Sequence, residues 1–242
     1  MKNNARMGYI NVEQVHPWYR ARLRYLLDWA MEITEGSNGI ELGSGTGYAA
    51  SKLMEKTQSS LLVTESNDEA IEFLVASRMT SLRLDATNPK HWPNSMFDFA
   101  VAMDVFEHIE DDKKAAKLLY QHLKPGARLF VTVPSFMFLW SRHDEDNEHF
   151  RRYTKGSIIE LFTSAGFSIE TIRYWNSTLL IPIFLRRNVH RILGRKEWRG
   201  DSYKLPGPFV AWFVSQVYKL EERFSSFFGR VPGCSIIVTA RK

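Results

Sequence analysis

A single cysteine, Cys234, stands among 242 residues. That excludes a disulfide framework and a cysteine-rich zinc site, and it fits a reducing compartment. No apolar run approaches the roughly 20 residues that a membrane-spanning helix needs; Leu179 to Leu185 is among the longest. The opening MKNNARMGYI lacks the apolar stretch of a secretory signal. Internal repeats, low-complexity tracts, zinc-finger spacings and RNA-binding aromatic signatures are also missing. These absences point to a cytoplasmic protein, attached at most peripherally to the inner face of a membrane. What is present is a globular composition, 44% apolar, 24% charged and 13% aromatic, sufficient for a sizeable core in a single domain over residues 1–242.

The net charge of +5 is unevenly spread. Residues 1–40 stand at +1, residues 41–150 carry 11 basic against 17 acidic groups, and residues 151–242 carry 16 basic against 6 acidic. Much of the excess lies in Arg186, Arg187, Arg191, Arg195, Lys196, Arg199 and Lys204, which face only Glu197 and Asp201. Such a run implies an anionic partner or, more plainly, a solvated helix face. The acidic middle of the chain disfavours a broad groove for a polyanion, so nucleic acid is not expected.

Residues 12–35 have apolar positions at helical spacing and predict an N-terminal helix closed by Gly36. Residues 36–175 then alternate strand-like and helical pieces. The strands fall at Gly39 to Leu42, Leu61 to Thr64, Leu82 to Leu84, Phe97 to Met103 and Arg128 to Val133, the last preceded by a turn at Lys124, Pro125 and Gly126. Alternation of this kind predicts a parallel sheet with helices on both faces. A helix from Lys155 to Ala165 and a strand from Phe167 to Trp175 follow, and residues 233–242 supply a last strand.

Between them, residues 176–232 form an insertion too apolar to be a linker. Its first helix, Leu179 to Leu193, sets Leu180, Phe184 and Val189 against Arg186, Arg187 and Arg191. This amphipathic pattern suits a lid over the core or, across residues 179–204, peripheral contact with an anionic membrane. The second, Phe209 to Phe228, carries Trp212, Phe213, Val217 and Leu220 at a spacing that predicts packing on the core.

The strongest local signal is Glu41-Leu42-Gly43-Ser44-Gly45-Thr46-Gly47, after a strand and before a helix. A dinucleotide fingerprint needs a further glycine where Tyr48 stands. Glu41 would oppose a pyrophosphate but suit a cationic amine or sulfonium, which favours S-adenosylmethionine over NAD. With these residues the chain resembles the class I S-adenosylmethionine-dependent methyltransferases, and a bacterial small-molecule subgroup of them. That resemblance implies a Rossmann-like, doubly wound, seven-stranded α/β sheet in three layers, its last strand antiparallel, plus the helical insertion. It implies S-adenosylmethionine as cofactor, S-adenosylhomocysteine as product, and a cofactor site of Glu41, Gly43, Ser44, Gly45, Thr46, Gly47, Glu65, Ser66, Asp85, Ala86, Asp104 and Val105. Glu65 would meet the ribose hydroxyls, and Asp85 with Ala86 the adenine.

Methyl transfer gains rate from positioning and water exclusion, and a hydroxyl acceptor also needs a base. His108, at the mouth of the expected cleft, is the first candidate. His16 in the N-terminal helix, and His143, His149, Arg152 and Tyr153 after the fifth strand, resemble segments that close over the acceptor in that subgroup. The competing reading has Arg151, Arg152 and the acids from Asp144 to Glu148 as structural ion pairs. Thr154 reads as a helix cap. No metal is expected, although Asp104, Glu107 and His108 would share one helical face and could hold a divalent ion. The expected reaction is transfer of a methyl group to an oxygen of a small-molecule or lipid-linked acceptor, with a divalent-metal-dependent O-methyltransferase, or a noncatalytic S-adenosylmethionine-binding or membrane-associated module, as the alternatives.

Overall fold

In the computed structural model, which describes residues 12–185 and 207–242, the described residues form strands β1 (Asn38–Leu42), β2 (Ser60–Glu65), β3 (Ser81–Arg83), β4 (Phe97–Met103), β5 (Leu123–Pro134), β6 (Ser168–Trp175) and β7 (Ser235–Arg241). They make one sheet in the order β3-β2-β1-β4-β5-β7-β6. Pairings from β3 to β5 are parallel, whereas β7 runs antiparallel to β5 and β6. The helices are α1 (Pro17–Trp29), α2 (Tyr48–Thr57), α3 (Asp68–Ala76), α4 (Asp112–Gln121), α5 (Arg142–Asp146), α6 (Lys155–Ala165), α7 (Pro208–Arg223) and α8 (Ser225–Phe228). This is the three-layer, Rossmann-like architecture that the alternation and the resemblance imply.

The central strands are apolar on both faces because both are covered. On one side Ala100 and Ala102 of β4 and Leu129 and Val131 of β5 pack with Leu119 of α4 and Phe162 of α6. On the other, Phe99, Val101 and Phe130 pack with Leu26 and Trp29 of α1 and Leu53 of α2. Each Leu, Val or Phe among them, taken fully out of water, contributes roughly 1.5–3 kcal/mol. The strand order reverses between β1 and β4, and the crevice at the carboxyl ends of those strands is where ligands of open α/β sheets bind.

Three local expectations are corrected. Residues 12–15 are helical, but the N-terminal helix breaks at His16. Pro17 restricts the residue before it, so His16 is extended and caps α1, its Nδ1 accepting from Trp18 N at 3.2 Å. Lys124, Pro125 and Gly126 are not a turn ahead of β5 but a bulge within it. Leu123 pairs with Phe97 and Arg128 with Phe99, and Gly126 takes φ +78 where the extra residues bow out. The second insertion helix does not pack through Trp212, Phe213 and Leu220, which are all exposed; Val214 and Tyr218 of α7 face inward instead.

The insertion is fastened by polar and aromatic contacts. Arg24 Nε donates to Glu222 Oε2 at 2.8 Å, and the backbone N–H and hydroxyl of Thr178 both donate to Glu221 Oε1. Trp175, at the end of β6, stacks on Trp18 at 5.5 Å and meets Tyr25 and Tyr218 edge-on or tilted. Residues 180–185 are helical; Arg186 to Lys204, which carry the charge run, lie outside the described residues. No helix among the described residues is long and apolar enough to cross a membrane.

Candidate functional site

The glycine loop sits at the carboxyl end of β1. Gly43, Gly45 and Gly47 have φ of +62, +58 and +74, a region that side chains other than glycine rarely enter. A Cβ on Gly43 would meet Val105 Cγ2 at 2.7 Å and one on Gly47 would meet Met79 Sδ at 2.4 Å, whereas Gly45 faces open space. Ser44 ties the loop to β2, its N–H donating to Thr64 O at 2.9 Å and its hydroxyl accepting from Thr64 N at 3.1 Å. Glu65 accepts from Gly45 N at 2.6 Å, bringing the β2 carboxylate, with Ser66 next to it, up to the loop. Glu41 lies beneath at 2% exposure, and one of its oxygens has no hydrogen-bond partner. Burial pushes its carboxyl up to about 7 against the lowering effect of Ser44 and Arg22. A buried acid so poised favours a nearby cation.

Asp85 and Ala86 follow β3, on the strand next to Glu65. The Asp85 carboxylate accepts from Thr87 N at 2.9 Å and Thr87 Oγ1 at 2.7 Å, bonds that hold it below the usual carboxylate range. Ala86 O accepts from Trp92 Nε1 at 3.2 Å.

A cleft of about 660 Å³ opens beside Gly45 and Asp104. Asp104 follows β4 with φ +56, an uncommon backbone for a residue with a side chain. Its Oδ2 accepts from Arg22 Nη1 of α1 at 2.5 Å, and the Arg22 guanidinium also lies over the rings of Trp18 and Tyr19. Glu13 reaches the loop from the same N-terminal segment and accepts from the Thr46 hydroxyl. Arg22 and Glu13 were not assigned from sequence. The signal for Arg22 was its place in the His16-Pro17-Trp18-Tyr19-Arg20-Ala21-Arg22 pattern; nothing local marked Glu13.

The far wall carries the histidines. His108 ends a 3₁₀ turn, Phe106–His108, and meets His149 edge-on with ring centroids 4.5 Å apart. Burial, then the His149 ring, lowers the His108 pKa below the ordinary imidazole value. Asp144, fully buried, is held well below the usual carboxylate range: burial alone would raise it, but hydrogen bonds from His149 Nδ1 at 3.0 Å and Arg152 Nε at 2.7 Å overcome that. Ser141 N donates to the same carboxylate at 2.9 Å, and Arg152 Nη1 donates to Ser135 O at 3.1 Å. Glu107, at 1% exposure, has neither carboxylate oxygen hydrogen-bonded. Burial and the Asp104 charge raise its pKa well above the ordinary value.

His16, Asp104, Glu107, His108, His143, His149 and Arg152 therefore meet in one cleft. Tyr153 does not. It is buried behind the wall, its hydroxyl donating to Asp112 Oδ2 at 2.8 Å and Phe106 O at 3.1 Å. The structure sets Tyr153, at 3% exposure, apart from the expected acceptor access, its backbone bridged to Ser135 and its hydroxyl on Asp112 of α4. The ion-pair reading holds for Arg152 with Asp144, whereas Arg151 pairs with Asp112 at 2.8 Å. The alternative metal face of Asp104, Glu107 and His108 does not form as one helical turn. A 3₁₀ turn replaces the helical one and Arg22 engages Asp104, so the donor set within 4.8 Å is Glu107, His108 and His149.

A family model described as a methyltransferase domain matches residues 13–172. The chain belongs to that family. It is a class I S-adenosylmethionine-dependent methyltransferase by domain and fold. Over 153 residues it is 26% identical to the sterol 24-C-methyltransferase erg6 of Aspergillus fumigatus, a match covering 59% of this chain and 40% of that enzyme. Among solved structures, the [4+2]-cyclase SpnF superposes with a TM-score of 0.61 at 22% identity, covering 93% of this chain and 82% of the cyclase. Phosphoethanolamine N-methyltransferase 2 of Haemonchus contortus, bound to S-adenosyl-L-methionine, gives a TM-score of 0.60 at 15% identity, covering 91% of this chain and 52% of that protein. These likenesses narrow the chain to no subgroup of the family. A cyclase on the same fold shows that the site, and not the fold, must carry the argument about chemistry.

Proposed function

We propose that this enzyme transfers a methyl group from S-adenosylmethionine to an oxygen of a small, amphiphilic acceptor held between the histidines and the insertion. The observation that carries the reading is the pairing of His108 with His149 in the cleft that also contains Gly45 and Asp104. When bound, the cofactor supplies an electrophilic methyl group on a cationic sulfur. The open side of Gly45, the carboxylate of Glu65 and the buried acid Glu41 fit such a cation-bearing nucleoside. Asp85 and Ala86 would meet its base, and Asp104 with Val105 would flank its reactive end.

Because Asp144 is ionised, the bond between them requires His149 Nδ1 to donate, which fixes the tautomer and leaves Nε2 free to take a proton from the acceptor. His108, kept neutral, is the second base. His16 and His143 line the same cleft as contacts for the acceptor, and Arg152 positions Asp144. The apolar walls Leu179, Ile183 and Val214 suit a lipid-like acceptor, in keeping with the sterol in the name of the Aspergillus relative. Residues 179–204 would bring the enzyme to an anionic membrane surface, tested by loss of salt-sensitive vesicle sedimentation in Arg186→Glu, Arg187→Glu and Arg191→Glu.

Turnover of hydroxylated amphiphiles with His149→Gln and His108→Gln tests the bases. At least tenfold lower kcat with unchanged cofactor affinity is expected, and unchanged kcat in both variants refutes the assignment. A noncatalytic module predicts cofactor binding with no turnover on any acceptor. A second reading is favoured by the Glu107, His108 and His149 donor set: a divalent ion held there would orient the acceptor oxygen. Calorimetric titration with magnesium, manganese and zinc tests it, Glu107→Gln removing the heat if the reading holds.

A further inference from the structure

Helix α7 presents an aromatic face outward. Phe209, Phe213 and Leu220 of α7 and Phe224, which caps it, are all exposed, Phe209 at 76% and Phe213 at 53%. At about 100° per residue they fall within an arc of roughly 60°, and Trp212, 58% exposed, flanks it. Phe227 of α8, 64% exposed, continues the surface. The opposite face of α7 holds Val214 and Tyr218, which wall the cleft, and Glu221, which anchors Thr178. One helix thus lines the acceptor cavity with one face and shows solvent an aromatic stripe with the other.

Monomeric soluble proteins seldom expose such a stripe, and where it is rimmed by polar groups it marks an interaction surface. The rim has one sign. Lys219, Arg223 and Arg230 are exposed, whereas the acids of residues 207–232 are Glu221, which is buried, and Glu222, which is paired with Arg24. Phenylalanine, tryptophan and leucine bordered by cations suit the headgroup boundary of an anionic bilayer, where rings enter the acyl edge and lysine and arginine meet phosphates.

We propose that the outer face of α7 and α8 docks on an anionic lipid surface, the aromatic side chains entering the interface. This goes beyond the proposed reaction and stands without it. If an amphiphilic acceptor is correct as well, docking holds the enzyme at the membrane that contains it.

The test is flotation of the full chain with vesicles of phosphatidylcholine alone and of phosphatidylcholine with phosphatidylglycerol. The triple variant Phe209→Ser, Phe213→Ser, Phe227→Ser is compared with the parent, and Trp212 emission is read with brominated lipids against a Trp212→Phe control. Expected are binding to the anionic vesicles, loss of at least tenfold in the triple variant, and quenching that disappears in the control. Calorimetric titration with S-adenosylmethionine shows that the variant is folded, and a failure of cofactor binding in the parent would count against the proposed reaction and not against docking. No flotation of the parent at low salt overturns the proposal. So does a concentration-dependent dimer that the triple variant dissolves while vesicles stay unbound, since the occupant would then be a second copy of the chain.

Discussion

The glycine loop and helix α7 are each built on a local pattern, yet they behave in opposite ways. In the loop every choice is dictated by the backbone: three glycines at positive φ, two with no room for a Cβ. In α7 the helical period selects two faces, and sequence alone does not say which one the core takes. The face with more aromatic residues is the outer one, and the inner face contains a glutamate. Local stereochemistry therefore transfers directly from sequence to site, whereas the direction of a helix face is settled by what packs against it.

Substitutions in the two regions should differ in effect. The largest effect is expected at the buried wall. Asp144→Ala leaves Arg152 buried without its carboxylate, which costs about 3–5 kcal/mol and should appear as a large fall in Tm together with loss of turnover. Gly47→Val forces a side chain into Met79 and Leu74 at positive φ, and should cost about 2 kcal/mol or more and at least tenfold in cofactor affinity, both measurable by calorimetry. Tyr153→Phe removes one buried donor, at about 1–3 kcal/mol, with kcat unchanged; a kcat fall would return the phenol to the reacting groups.

A pH profile comes next. A neutral imidazole is the active form, so turnover should rise with pH as His108 loses its proton. With its pKa lowered, the acid limb should lie below 6.5. His149→Gln removes a repelling neighbour and should move that limb upward. The limb that belongs to His108 is the one that moves in His149→Gln, and no upward movement there contradicts the electrostatics. The smallest effect belongs to the outer face: Phe213→Ser should change stability within about 0.5 kcal/mol, and a fall of several kcal/mol would show that this face packs in solution.

Much of the fold was legible because its signals are short-range. The strand from Phe97 to Met103 and the helix from Lys155 to Ala165 coincide with the structure residue for residue. The seven-strand order required the resemblance, because β7 pairs with β5 from more than 90 residues away. In the site, the histidines were legible as residue types and their partners were not. His149 bonds Asp144, five positions away, and Asp104 bonds Arg22 across 82 positions. Tyr153 sits next to Arg152 in sequence but turns to Asp112 and out of the cleft. Distant pairings of this kind are fixed by packing, which a single sequence does not display.

The proposed reaction stands on binding of S-adenosylmethionine by the glycine loop and Glu65. Titrating the enzyme calorimetrically with S-adenosylmethionine, S-adenosylhomocysteine and NAD, with and without chelator, tests it most directly. The account predicts micromolar binding of the first two, none of NAD, and loss of at least tenfold in Glu65→Ala. Binding of NAD instead, or unaltered affinity in that variant, would contradict it.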